Sequence, residues 1–273
     1  MSDILKKEDY VEPCCPLNMH PETAARIPVG RVIDRLDTLL DKNDYAGAER
    51  HLRYWLGEAD LARDGRGRLT ILNEQIGLYR KMDRPDEGMT AIRDALELAE
   101  ELGLGESVTM GTTLVNAATG YKHFGMAEQA LPLYRRAQAL YESLLAPDDA
   151  KLGGLYNNMA LALTDLSMFS EARAMFEKAM AIMETQPNGE AEMAITCLNL
   201  VDLTAAEQGL EAGKDAIRAN LQRAAALLDT ESLPRDGYYT FVCEKCAPVF
   251  GYYGMKTVEE TLNTRAREIY ERP

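Results

Sequence analysis

The sequence predicts an all-α protein made of about six helical hairpins, and three observations carry that expectation. Ala and Leu, two strong helix formers, supply roughly a quarter of the 273 residues, while aromatic residues are only 7%. Apolar residues recur at steps of three and four, the spacing of one helix face. The chain also repeats itself: Leu72, Leu114, Tyr156 and Leu198 stand 42 residues apart, and the residues after them keep the register.

Taken along the chain, Pro13, Pro16, Pro21 and Pro28 break residues 1–28 into an irregular arm. Residues 29–273 read as one repeat domain. Its first hairpin, 29–68, is degenerate: Val32, Leu36, Leu39, Ala48 and Leu52 fit at a 40-residue step, and Trp55 stands where later repeats carry a small residue. Three clear repeats follow, 69–110, 111–152 and 153–194. Each opens with a helix, marked by the columns Leu72/Leu114/Tyr156, Ile76/Ala118/Ala160 and Tyr79/Tyr121/Leu163. A second helix carries Gly88/Ala130/Ala172, Ile92/Tyr134/Phe176 and Ala95/Ala137/Ala179, large residues alternating with small ones so that neighbouring helices interlock. Between the two helices stand Asp83, Gly125, Ser167 and Gly209, all turn-prone. In the first clear repeat the helices are expected near 69–82 and 86–101. A three-residue insertion around Gly213 separates the degenerate units 195–239 and 240–273 from this register. With it, Leu221 and Ala224, then Cys243, Cys246, Ala247, Phe250, Gly254 and Ala266, fall into place.

The spacing of Leu114, Ala117, Ala118, Tyr121, Ala130, Tyr134 and Ala137 resembles the tetratricopeptide repeat (TPR) pattern. Tyr156-Asn-Asn-Met-Ala-Leu-Ala-Leu, followed by Phe169-Ser-Glu-Ala-Arg, looks like the longer 42-residue subtype of kinesin light chains and many bacterial TPR proteins. The resemblance is specific over 69–184, weaker over 185–230 and weak elsewhere. It implies a right-handed α-solenoid superhelix whose first helices line a concave groove, and a role in binding peptides or proteins.

If Leu72, Gln75, Ile76 and Tyr79 pack, the free stripe of each first helix runs between them, again at steps of three and four. Asn73, Val115, Asn157 and Asn199 form one of its columns, with Asn116 and Asn158 adjacent. Further on come Leu161 and Leu203, and at the helix ends Arg80, Lys81, Lys122 and His123. Asparagine is unfavourable inside a helix by roughly 0.5 kcal/mol relative to alanine, so a column of it calls for a reason. The amides either bond the backbone of an extended ligand or bond the neighbouring repeat. In kinesin-light-chain-like repeats the matching Asn pairs are associated with peptide contacts, which the resemblance carries over to these positions. These four basic side chains, on a chain of net charge −14, are a candidate anchor for an anionic group. The eleven candidate binding residues are therefore Asn73, Arg80, Lys81, Asn116, Lys122, His123, Asn157, Asn158, Leu161, Asn199 and Leu203, with an acidic, amphipathic peptide as the expected ligand. The Lys-Asn-Asn-Lys-Arg carboxylate clamp of chaperone-binding TPR domains is not matched, since Val115 and Thr164 occupy positions that would need polar contacts.

A pI near 4.8 argues against nucleic acid and anionic membrane surfaces as partners. Five scattered cysteines and the absence of an apolar leader in Met1-Ser-Asp-Ile-Leu-Lys-Lys-Glu point to a reduced, cytoplasmic protein. Cys243-Glu-Lys-Cys246 lacks a second ligand pair, and its register places both thiols in the core. Cys14, Cys15 and His20 in the arm are weak metal candidates. No phosphate-binding loop, nucleophile elbow or His-based zinc motif is present, so neither catalysis, nor a metal, nor a cofactor is expected. Tyr238, Tyr239, Phe241, Phe250, Tyr252 and Tyr253 either cap the array or form a sticky end, and Pro248 is expected to kink its helix. The reading that follows is a non-catalytic module holding a partner peptide in a groove. A peptide-sensing bacterial regulator of TPR type and a self-assembling scaffold are the alternatives. An arm of 28 residues, too short for an effector domain, favours the first.

Overall fold

The computed structural model describes residues 26–271, and these contain twelve α-helices and no strand. Cys14, Cys15, His20 and most of the arm lie outside the described residues. The described residues fall into two compact units that meet in sequence between Gly105 and Glu106.

The first unit holds α1 (Val29–Asp41), α2 (Tyr45–Leu61), α3 (Gly65–Lys81) and α4 (Pro85–Glu101). Val32, Leu36, Leu39, Ala48, Leu52, Ile71 and Leu78 form its core. Asp64 is nearly buried and holds two elements at once. One carboxylate oxygen caps α3 by accepting from the Gly67 N–H at 2.9 Å, and the other accepts from the Ile27 N–H at 3.0 Å. That cap starts α3 at Gly65, four residues before the first apolar residue of the repeat pattern.

The second unit holds α5 (Val108–His123), α6 (Ala127–Leu144), α7 (Ala150–Asp165), α8 (Phe169–Met183), α9 (Glu190–Ala212), α10 (Lys214–Leu228), α11 (Gly237–Tyr252) and α12 (Lys256–Tyr270). Tyr134 and Phe176 are fully buried, as are the small residues Ala137 and Ala179 one turn further along the same helices. A continuous apolar cluster runs from Met180 through Leu221 to Ala266. Cys197, Cys243 and Cys246 are buried, free thiols within it. Both α6 and α11 run on through an internal proline, Pro132 and Pro248 respectively.

All six hairpins turn on a left-handed residue: Asn43, Asp83, Gly125, Ser167, Gly209 and Gly254, with φ of 54°, 51°, 76°, 58°, 78° and 81°. In the hairpins other than that of Gly209, the next N–H reaches back five residues, as Met126 does to Tyr121 at 2.9 Å and Met168 to Leu163 at 2.8 Å, satisfying carbonyls at the helix end. Glycine adopts this conformation freely, whereas a residue with a Cβ is strained by about 1–2 kcal/mol. Ser167→Gly should therefore raise stability by about 0.5 kcal/mol after the added freedom of the unfolded chain is subtracted, and Gly125→Ala should lower it by about 1 kcal/mol. Urea midpoints of the two variants moving in the same direction would contradict this.

Candidate functional site

Asn73, Arg80 and Lys81 lie on α3 of the first unit. The Asn73 amide donates to the Leu69 carbonyl of its own helix at 2.9 Å. Arg80 is half-buried and Lys81 exposed, both in the last turn of α3. Lys122 and His123 occupy the last turn of α5 in the second unit. Arg80, Lys81 and Lys122, placed there, interact favourably with the negative end of the helix dipole, so they also serve their own helices.

The remaining candidates lie in the second unit, on the successive first helices α5, α7 and α9. Lys122 Nζ approaches Asp165 Oδ2 at 3.4 Å, an ion pair that ties the end of α5 to the end of α7. Its value in this half-exposed setting is about 0–1 kcal/mol. His123 packs edge-on against Phe124, their ring centroids 5.4 Å apart. Asn157 Oδ1 accepts from Asn199 Nδ2 at 3.0 Å, and the Thr196 hydroxyl approaches the same oxygen at 3.1 Å. The Thr196 proton is shared with the Glu192 carbonyl at 2.9 Å. Two members of the asparagine column thus bond each other across α7 and α9. The Asn157 amino group and the Asn199 carbonyl oxygen take no part in that bridge.

Along α5 the stripe residues Thr112, Val115, Asn116, Thr119 and Lys122 are all half-buried. On α7, Gly154, Asn157, Asn158, Leu161 and Thr164 are half-buried in the same way. The stripe closes on α9, which is approached by both α7 and α11. There Thr196 is 2% exposed and Leu203 is fully buried. Leu203, expected as an apolar anchor, is therefore a core residue and offers a ligand no surface; Leu161, one repeat earlier in its column, remains accessible.

Tyrosine–threonine rungs stiffen this face and were not anticipated from the sequence. Tyr141 and Thr112 bond hydroxyl to hydroxyl at 2.8 Å, and Tyr134 and Thr119 at 2.9 Å. Tyr156 donates to Glu142 Oε1 at 2.8 Å, tying α7 to α6, and burial raises its hydroxyl pKa. At the far end, Tyr239 and Phe250 are core residues, while Tyr238, Phe241 and Tyr252 stay 47%, 48% and 76% exposed. The aromatic group accordingly divides between a cap and an open surface. Among the described residues, no cluster of three or more His, Cys, Asp or Glu side chains could hold a metal ion. No described helix is long and apolar enough to cross a membrane.

Two family models, both described as tetratricopeptide repeat, match the chain at residues 67–143 and 153–185. The fold is similar to that of BtubC (BKLC) from P. vanneervenii, with a TM-score of 0.63 and 24% identity over 77% of this chain and 86% of that one. It is also similar to a Podosopora anserina chain described as a kinesin light chain with nearly identical TPR-like repeats. There the TM-score is 0.52 and the identity 15%, over 74% of this chain and 94% of that one. Both likenesses give the fold, an α-solenoid of helical hairpins. No curated protein matches the sequence.

Proposed function

The chain is a tetratricopeptide-repeat protein, and we propose that it acts as a non-catalytic module holding an extended segment of a partner protein against the first helices of its repeats. Repeats of this kind are in general protein–protein interaction modules. The observation that carries the finer reading is the unbroken half-buried stripe across α5 and α7, polar at most positions and apolar at Val115 and Leu161. Side chains at such positions are neither part of the core nor fully solvated, which is the environment of a groove lining. Asn157 is preset, because its side-chain amide is held by Asn199 of the next repeat. Asn116 and Asn158 offer further amides beside it. An apolar ligand side chain over Leu161 would contribute roughly 1.5–3 kcal/mol if fully buried. A ligand carboxylate would compete with Asp165 for Lys122, with His123 alongside. In the first unit, Asn73, Arg80 and Lys81 are the matching positions by register.

A photoreactive side chain at position 161, compared with one at exposed position 177 on α8, tests this in an extract of the native organism. A discrete protein adduct is expected from 161 and not from 177. Leu161→Ser should then weaken capture of that partner at any salt concentration, whereas Lys122→Glu should weaken it most at low salt. Equal adducts from both positions, or adducts from 177 alone, would move the binding face away from the stripe.

A further inference from the structure

The repeat changes character at its last step. Within the second unit, α6 lies along α7 and α8 along α9, but α10 makes no comparable approach to α11, which packs on α9 instead. The change coincides with the three-residue insertion. Gly209 breaks the helical path inside α9 with φ 78° and ψ 166°, and α10 then starts at Lys214. A recess of about 450 Å³ remains between one face of α10 and the turn that joins α11 to α12. Its size is that of a site for one or a few large side chains.

The chemistry of the recess has two parts. Ile217 and Leu221 are nearly buried, Tyr253 and Met255 are half-buried, and Leu210 stands 52% exposed. Burial also raises the pKa of the Tyr253 hydroxyl, with Asp202 adding to the effect. Lys214 and Arg218 join this apolar wall one helical turn apart, and neither is in an ion pair among the described residues. Glu211 is the acidic member of the lining. Two uncommitted cations beside an apolar recess, on a chain of net charge −14, are complementary to a ligand that is both acidic and apolar.

We infer that this recess is a second docking site, separate from the α5–α7 stripe, for an acidic segment of a partner protein that inserts one large apolar side chain. The apolar side chain would sit among Leu210, Ile217, Leu221 and Met255. Carboxylates flanking it would meet Lys214 and Arg218. The inference does not depend on the stripe, because the lining residues and the readouts are different.

Methyl-resolved NMR of the full chain, titrated with three capped pentapeptides, tests it. The probes are Asp-Glu-Phe-Leu-Asp, its basic counterpart Lys-Lys-Phe-Leu-Lys, and the polar Asp-Glu-Ser-Ser-Asp. Saturable shifts of the Leu210, Ile217, Leu221 and Met255 methyl signals are expected with the first peptide only. In K214E/R218E, two substitutions on the surface of α10, its affinity should fall roughly tenfold at low salt and less at high salt. Leu210→Ser should weaken it under both conditions, while the Leu161 signal stays still throughout. The proposal is overturned if these methyls stay silent at millimolar peptide, if the basic or polar peptide binds equally well, or if octanoate shifts them and the peptide does not. Shifts that follow protein concentration alone would assign the recess to a second copy of the chain and overturn it as well.

Discussion

Gly111→Ala should destabilise the second unit by about 1–3 kcal/mol, whereas Gly153→Ala, at the same place in the next repeat, should cost less than about 1 kcal/mol. Both glycines are buried near the start of a first helix, and at each one an added Cβ would overlap a side chain of the second helix. What differs is the freedom of the neighbour. At Gly111 the overlap is with the ring of Tyr141, which is 3% exposed and held by its hydroxyl bond to Thr112. A ring fixed at both ends moves only if α5 and α6 separate, and that opens packing along the whole hairpin. At Gly153 the overlap is with the terminal methyl of Met183, which rotates aside at little expense, although Ile182 limits how far. Urea denaturation of both single variants reads the difference directly. Equal losses would mean that backbone propensity, in which alanine is the better helix former, outweighs the clash at Gly111.

The same contrast explains which features were legible in the sequence. Turn positions were legible because a left-handed residue leaves a chemical trace. Asp83, Gly125, Ser167 and Gly209 stood out as turn-prone, and all four have positive φ. The alternating large and small columns were legible too, since Tyr134 and Phe176 bury fully against that pattern. The start of α3 was not, because its cap, Asp64, precedes two glycines and no apolar residue marks the first turn. The asparagine column showed that amides were wanted, but a column cannot tell a ligand from the next member of the column. Asn157 and Asn199 turn out to be partners. Lys122 and Asp165 are a similar case: a cation read as a ligand contact has a carboxylate one repeat away. Leu161 and Leu203 share a column but not a depth: Leu161 is half-buried on α7, whereas Leu203 is fully buried on α9. The insertion near Gly213 was visible as a break in register, yet the recess it accompanies depends on how α10 and α11 part, which spacing alone does not encode.

The stability of the last hairpins should fall steeply in alkali, and removing two thiols should flatten that fall. Burial pushes the Cys243 thiol up to about 11 and the Cys246 thiol up to about 12, from an ordinary value near 9. Arg235 and Arg265 pull Cys243 back slightly, and Lys245 does the same for Cys246, but loss of hydration is the largest cause at both. In the unfolded chain both thiols ionise above about pH 9, while in the folded protein they remain protonated. The folded state therefore has its full advantage below that value and loses it as pH rises through the folded values near 11 and 12. Each thiol contributes a slope of up to about 1.4 kcal/mol per pH unit within its window, so the pair contributes up to about 2.7. Tyrosines and lysines titrate in the same range, but they are common to the parent and to a Cys243→Ala/Cys246→Ala variant. The test compares urea midpoints of the two proteins from about pH 8 to about pH 10.5. The variant starts lower, because two small cavities replace the sulfur atoms. Its curve should then fall less steeply, so that the two converge. Native-state labelling should agree, with both thiols modified only as fast as the hairpins open. Curves that stay parallel across the range, together with rapid labelling at pH 8, would place these cysteines in contact with water and remove them from the core of the last repeat.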